Sequence, residues 1–457
     1  MDYPMEPYKI KVVEPIAVTS REERTAIMRK AGYNVFNVPA EKVTIDLLTD
    51  SGTSAMSDYQ WAGLMLGDES YAGSRNYFHF EKTIRDLYGF RNVIPAHQGR
   101  VAENLLFSTV VKPGDTVPNN IHFDTTQANV EHNRGIAANC VIDEGLDPRV
   151  EHPFKGNMDL GKLERLIQKV GVERVPICML TITNNSGGGQ PVSLENIAAT
   201  RELLNRYGIP LYFDACRFAE NCYFIKKREP GYADADLREI ARKIFSYGDG
   251  CTMSAKKDGL VNIGGFLCTN DGELAEKITN MLILIEGFPT YGGMAGRDLE
   301  AIARGLEEVM VETYLEFRIN QVRQLGEMLE AEGVPILKPV GGHAVFLDAK
   351  AFLPHIPPEK FPAQALTCEL YTEGGIRGVE IGGLMFGHKD PETGNPIWPE
   401  LEMVRLAVPR RVYTTAHMQY VAEMIGAIYR RRDSIRGLRL VHEAPQLRHF
   451  TARLEPL

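Results

Sequence analysis

Between residues 77 and 270 the chain alternates amphipathic helical stretches with short apolar runs, a pattern that few architectures can satisfy. Helical 81–88 leads into the apolar run 92–95, and helical 102–110 follows; 159–170 precedes the β-rich run 175–183. Helical 194–207 then precedes 209–214, and 237–245 precedes 250–254, with 265–269 closing the series. Apolar strands separated by amphipathic helices build a mostly parallel sheet covered on both faces. Beyond it, 295–332 reads as one long, strongly charged helical region broken by few turn residues. Strand-like 338–347, helical 362–373, strand-like 378–381, strand 403–408 and a long helix near 416–431 then suggest a second, smaller α/β unit. The expected organisation is an arm over 1–50 that packs on the small unit, a large domain over 51–310 and a small domain over 311–457. A length of 457 residues suits roughly two or three such units.

Composition narrows the function. With 51 Lys+Arg against 60 Asp+Glu the formal net charge is −9, and no basic tail compensates, which disfavours a nucleic-acid surface. The longest apolar stretches fall far short of the ~20 residues that span a bilayer. The N-terminus shows no basic segment followed by an apolar one, so no export signal is expected. The 7 cysteines are odd in number and include no C-x-x-C pair, as expected for reduced thiols in a cytoplasmic protein rather than a disulfide framework or zinc site. No G-x-G-x-x-G follows an early strand, which removes a nucleotide-binding dehydrogenase.

In an open α/β sheet ligands gather beyond the carboxyl ends of the strands, and four such ends carry suggestive chemistry. His97-Gln98-Gly99-Arg100 joins a strand to a helix, the arrangement whose backbone N–H groups cradle a phosphate. Thr183-Asn184-Asn185-Ser186 and the glycines after it offer an amide donor for a phenolate oxygen and close backbone approach. Asp214 closes an apolar strand, where a carboxylate needs either a cationic partner or a helix to cap. Ser254-Ala255-Lys256-Lys257-Asp258 follows another strand and reads either as a solvated loop or as the site of an imine-forming lysine. Phosphate seat, ring-oxygen donor, ring-nitrogen acid and lysine in this order are how proteins hold pyridoxal phosphate.

Long stretches resemble the β-eliminating lyases, the tryptophanase and tyrosine phenol-lyase pair of the aspartate-aminotransferase-like (fold type I) pyridoxal-phosphate enzymes. They are 45–53, 67–73, Met253-Ser254-Ala255-Lys256-Lys257-Asp258, Gly341-Gly342-His343-Ala344-Val345-Phe346 and Phe450-Thr451-Ala452-Arg453. By that resemblance Lys257 carries the cofactor and removes the substrate α-proton, and Asp214 keeps the pyridine nitrogen protonated. Asn185 and Arg217 face the ring oxygen, Phe123 stacks on the ring, and Gln98, Gly99, Arg100, Ser254 and Lys256 surround the phosphate. Arg405 binds the substrate carboxylate. Tyr71 protonates the leaving group from a neighbouring subunit of a homotetramer, and Gly52, Glu69 and Asn262 hold a potassium ion between subunits.

Three positions divide the two activities. Phenol-lyases resemble this chain except that they carry arginine where it has Ile381, threonine where it has Asp124 and phenylalanine where it has His449. An aliphatic wall suits indole, and an acceptor carboxylate bonds an indole N–H better than a neutral hydroxyl does. Each position also has a plain reading: Ile381 as core, Asp124 as a helix cap, His449 as a satisfied imidazole. Taken together they point to release of indole, pyruvate and ammonia from L-tryptophan, with tyrosine phenol-lyase as the alternative. A non-catalytic binder of the cofactor is the reading from another class. Val101, where the family usually has glycine, is expected to alter the phosphate turn slightly, and Val261-Asn262-Ile263 looks more like phenol-lyase.

Overall fold

The computed structural model describes residues 5–390, 393–445 and 447–457. Helices α1 (Arg21–Lys30), α2 (Asp58–Leu64) and α3 (Arg75–Tyr88), with the short strand β1 (Ile45–Asp46), precede the alternating segment. There β2 (Asn92–Ala96), α4 (Gly99–Val110), β3 (Thr116–Asn119), α5 (Asp124–His132), β4 (Ile136–Asn139), α6 (Leu160–Val170) and β5 (Cys178–Thr181) follow. Next come α7 (Leu194–Tyr207), β6 (Leu211–Asp214), α8 (Phe218–Arg228), α9 (Leu237–Phe245), β7 (Gly250–Ser254) and β8 (Gly265–Thr269). These helix ends are locally coded. Ser193 caps α7 by accepting from the Asn196 N–H, Gly208 closes it in the left-handed region, and Asp236 caps α9.

The central sheet runs in the order β2-β8-β7-β6-β5. β5, β6 and β7 are parallel, and β8 is antiparallel to both β7 and β2, so every strand of this sheet except β8 points the same way. β3 and β4 form a parallel pair beside β5, tied to it by Asn119 Nδ2 donating to Thr181 Oγ1 and Asn120 Nδ2 to the Thr181 carbonyl. This is the expected α/β fold with a mostly parallel sheet. Both faces are covered: Phe213, Phe218, Phe245, Phe266 and the stacked Tyr88 (4.1 Å from Phe245) fill one side, and Leu105, Leu106, Phe107 and Ile278 belong to the other.

The long charged region is two helices following α10 (Gly272–Ile285): α11 (Gly296–Glu308) and α12 (Glu312–Ala331). The break at Val309-Met310-Val311 contains no glycine or proline; Val309 and Met310 are buried, so packing, not turn chemistry, ends α11. α12 contributes Leu315 and Ile319 to the core of the large sheet and Val322, Leu325 and Leu329 to a second core. That second core takes in β9 (Ala344–Asp348), α13 (Ala349–Phe352), α14 (Pro362–Gly374) and β10 (Ile376–Arg377), while β11 (Val379–Ile381) packs in a smaller cluster beside it. After α15 (Gly383–Phe386) and the hairpin β12 (His388–Lys389)/β13 (Pro396–Ile397) come β14 (Met403–Ala407) and α16 (Thr415–Arg430). β11, β14 and β9 form an antiparallel sheet. Met28, Val35, Ile45 and Leu47 from the start of the chain share this second core, and β1 pairs with β10.

Candidate active site

The carboxyl ends of β2, β5, β6 and β7 open on one cavity, walled on the other side by Leu48, Val379, Met385, Arg405, His449 and Phe450. α4 begins at Gly99, directly after the extended residue Gln98 (φ −150°). A helix start leaves its first N–H groups unpaired, and here Gln98, Gly99 and Arg100 line the cavity. A Cβ on Gly99 would stand 2.4 Å from Ser254 Cβ, so glycine is required for α4 to begin against the end of β7. Lys256 Nζ lies 3.4 Å from Gln98 Oε1, and burial together with the charges of Lys257 and Arg100 lowers its pKa. Three cations and a helix N-terminus meeting at one point suit a phosphate. Val101 falls inside the first turn of α4, a helical position that a branched side chain can occupy.

Asp214 is 7% exposed and lines the cavity. It caps no helix, since α8 starts after Arg217; its Oδ1 accepts from the Cys216 N–H at 3.2 Å. Among the described residues no cationic side chain pairs with it within 4.0 Å. A buried carboxylate left without a cation is costly, and a protonated ring nitrogen would supply the missing partner. Lys257 lines the same cavity. The residues therefore fit pyridoxal phosphate at three separate points.

The two expected ring-oxygen residues line the cavity and are each partly engaged by other groups. Arg217 is forked onto Asp50, with Nε 2.9 Å and Nη2 2.7 Å from its carboxylate oxygens. Burial alone would raise the Asp50 carboxyl, but the Arg217 and Arg410 guanidinium groups hold it well below the usual range. Asn185 Oδ1 accepts from Arg405 Nη1 at 3.1 Å and lies 3.0 Å from His343 Nε2. Burial and Arg217 push His343 well below its ordinary pKa, so it is neutral and its Nε2–H is the donor. The Asn185 oxygen is thus occupied, leaving its NH2 for a ligand oxygen. Arg405 Nη2 donates to the Leu48 carbonyl, its Nε has no partner, and burial lowers its pKa to about 10, which leaves it charged at neutral pH.

Asp124 and His449 come together in the cavity. Asp124 is the first residue of α5 rather than its cap, and its Oδ2 stands 3.2 Å from His449 Nε2, close but not aligned as a hydrogen bond. Both are buried, with Phe123 beside them on the cavity wall. Ile381 does not reach the cavity. It lies on the same face of β11 as Val379, which does line it, and packs behind in an apolar cluster with Phe346 and Met403.

Tyr71 also stands outside this chain's cavity. It is 71% exposed and packs against Phe288 and Tyr291, with ring centroids 5.7 and 5.3 Å away. Asn262 Nδ2 donates to the Gly52 carbonyl at 3.0 Å, whereas the Glu69 carboxylate pairs with Arg297 at 3.3 Å. Among the described residues no group of three or more His, Cys, Asp or Glu is placed to hold a metal ion. Sequence reasoning missed Glu103, Cys216, Thr49 and Ser51, all on the cavity wall. Only Glu103 left a signal: it is the one carboxylate in an otherwise apolar and neutral helical stretch after Arg100, four residues beyond Gly99 and so on the same helix face.

This fold recurs in solved structures. The chain is similar to serine palmitoyltransferase from S. paucimobilis with bound PLP (TM-score 0.56, 14% identity, covering 87% of this chain and 90% of that one). It is also similar to a SepCysS-SepCysE N-terminal domain complex (TM-score 0.55, 14% identity, covering 86% and 96%). The fold is that of the fold type I pyridoxal-phosphate enzymes. The family described as beta-eliminating lyase matches residues 46–424, and the chain belongs to it. A tryptophanase of Salinibacter ruber is 58% identical over all of this chain and 96% of its own length. A tyrosine phenol-lyase of Pasteurella multocida is 54% identical over 100% and 99%, and a tryptophanase of Hyphomonas neptunium 54% over 99% of each. The protein is a pyridoxal-phosphate-dependent lyase, and no described helix is long and apolar enough to cross a membrane.

Proposed function

We propose that this lyase splits L-tryptophan into indole, pyruvate and ammonia. The observation that carries the reading is the buried Asp124–His449 pair on the cavity wall. An acceptor carboxylate oriented by an imidazole can take the indole N–H and stabilise the positive charge that develops when the indole ring is protonated. Pyridoxal phosphate, when bound, supplies the electron sink for the bonding pair left at the substrate's Cα. Lys257 carries the cofactor and removes the α-proton; Asp214 holds the proton on the ring nitrogen. Gln98, Gly99, Arg100, Ser254 and Lys256 seat the phosphate, Phe123 covers the ring, and Asn185 and Arg217 serve its oxygen. Arg405, with a free Nε edge, binds the substrate carboxylate bidentately.

The same reading makes the protein a cytoplasmic homotetramer with shared active sites. Tyr71 is exposed beside Phe288, and Trp61, Met65, Leu66 and Leu284 are further large apolar side chains left in water. From there it would act as the leaving-group acid of a neighbouring subunit. Potassium would sit at Gly52 and Asn262, which are already adjacent through the Asn262 Nδ2–Gly52 carbonyl hydrogen bond, with Glu69 released from Arg297.

L-Tyrosine is the competing substrate. It gains weight from Ile381, whose setback leaves Asp124 and His449 to carry the discrimination without an aliphatic wall. Incubating the protein loaded with pyridoxal phosphate separately with tryptophan and with tyrosine decides between them. Indole from the first at a rate far above phenol from the second is the expected result; the reverse transfers the assignment to tyrosine phenol-lyase.

A further inference from the structure

Glu103 has no part in the chemistry assigned so far, yet it is 7% exposed and lines the cofactor cavity. It projects from α4 one turn beyond the phosphate seat. Thr126 of α5 donates to its Oε1 at 2.6 Å, while Oε2 is buried with no hydrogen-bond partner. A buried carboxyl oxygen left bare is costly unless it carries a proton or awaits a donor. The charged groups facing Glu103 are Asp214, at the end of β6, and Lys257, after β7; α5 presents the hydroxyls of Thr125 and Thr126. Arg100 lies on its own helix, and the nearby Cys216 thiol is pushed far up by burial and by Asp214.

The ring-nitrogen end of the cavity therefore holds two carboxyls and would receive a single positive charge from a protonated pyridine. Two carboxylates at close quarters do not both ionise freely. We infer that Glu103 is a positioning residue for the cofactor: its carboxyl holds a proton while the cavity is empty and releases it when the charged ring enters beside Asp214. Burial and Asp214 bring the Glu103 carboxyl up to about 7, so the exchange falls in the neutral range. The inference rests on Asp214 serving the ring nitrogen, as proposed above.

The consequence is a pH dependence of cofactor affinity. Below the Glu103 pKa, binding must expel a proton, so affinity rises about tenfold for each pH unit up to that point and then levels. The test is equilibrium binding of pyridoxal phosphate to cofactor-free protein from pH 5.5 to pH 8.5 (about a decade either side of that pKa), followed by the colour of the bound cofactor. Glu103→Gln, which keeps the shape and cannot titrate, is expected to lose the step that the parent shows near neutrality. Thr126→Val removes the donor that favours the ionised form and is expected to move the step to higher pH. An identical pH profile in the parent and Glu103→Gln would overturn the inference while leaving the cofactor site intact. Should Glu103→Gln fail to fold, an unmoved step in Thr126→Val overturns it equally. Absence of bound, coloured cofactor in the parent at every pH would remove the site assignment and this inference together.

Discussion

At the scale of single residues, the Asp124–His449 pair separates leaving groups by their need for help. Indole leaves only after its ring is protonated, whereas a thiolate leaves readily. Asp124→Thr and His449→Phe are each expected to lower turnover of tryptophan by about 100-fold or more, the usual worth of a positioned acid–base group. Turnover of an S-alkylcysteine should fall by less than about 10-fold; steady-state assays on both substrates check this, and equal losses would remove the assignment. Glu103 makes a different prediction, for stability. Its carboxyl lies near 7 in the folded chain, mainly through burial, against an ordinary 4.5. Between those values the folded state binds the extra proton, so its contribution to stability declines as pH rises through that window. Cofactor-free Glu103→Gln should therefore melt higher than the parent at pH 8 (above both values) and lose that advantage near pH 4.5, as calorimetric scans at the two pH values would show. The roles that follow from residue type at a strand end were legible in the sequence: Asp214, Lys257 and Gly99 all meet at the cavity. Glu103 was not, because a carboxylate in a helix is ordinarily solvated and only the fold puts Asp214 opposite it.

Among the elements, glycines set where two segments approach closely position the site. Gly99→Ala would drive a methyl into Ser254 and part α4 from β7. Cofactor affinity should fall more than tenfold, measured by dialysis of the loaded protein, with the helical content unchanged. Gly305 of α11 is tighter still: a Cβ there would stand 1.9 Å from the Gly259 carbonyl oxygen, just after Lys257. The other element-level feature is a buried ion cluster joining the two cores. Arg410 donates to Asp50 at 2.8 Å, to Glu220 at 2.8 Å and to Asp258 at 2.9 Å, and Arg318 also reaches Glu220, at 3.1 Å. Replacing Arg410 with methionine leaves buried Asp258 without its cationic partner and takes one cation from Asp50 and Glu220, which keep Arg217 and Arg318; it is expected to cost about 3–5 kcal/mol, read from urea unfolding. Helices with coded ends, such as α7 and α9, were readable from the sequence almost to the residue. The α11–α12 break was not, because buried apolar residues mark it instead of glycine or proline.

For the whole molecule, the large apolar side chains left exposed, Trp61, Tyr71 and Leu284 among them, are the feature a single chain does not explain. Leu284→Arg should lower the assembled mass by light scattering and lower activity with it. Mixing inactive Lys257→Ala with Tyr71→Phe chains should restore part of the lost activity if Tyr71 serves a neighbour's cavity; if mixtures stay as inactive as the separate variants, Tyr71 acts elsewhere. The amino-acid sequence by itself determined the α/β alternation, the strand ends that carry chemistry and the order in which they occur, because hydrophobic period and turn chemistry are local properties. Only the tertiary structure decided which distant side chains share one dry space: Asp124 with His449, Glu103 with Asp214, Arg217 with Asp50, and Ile381 set behind the wall instead of on it. Their energies depend on burial and on a partner's charge, and neither exists until the two cores close on each other.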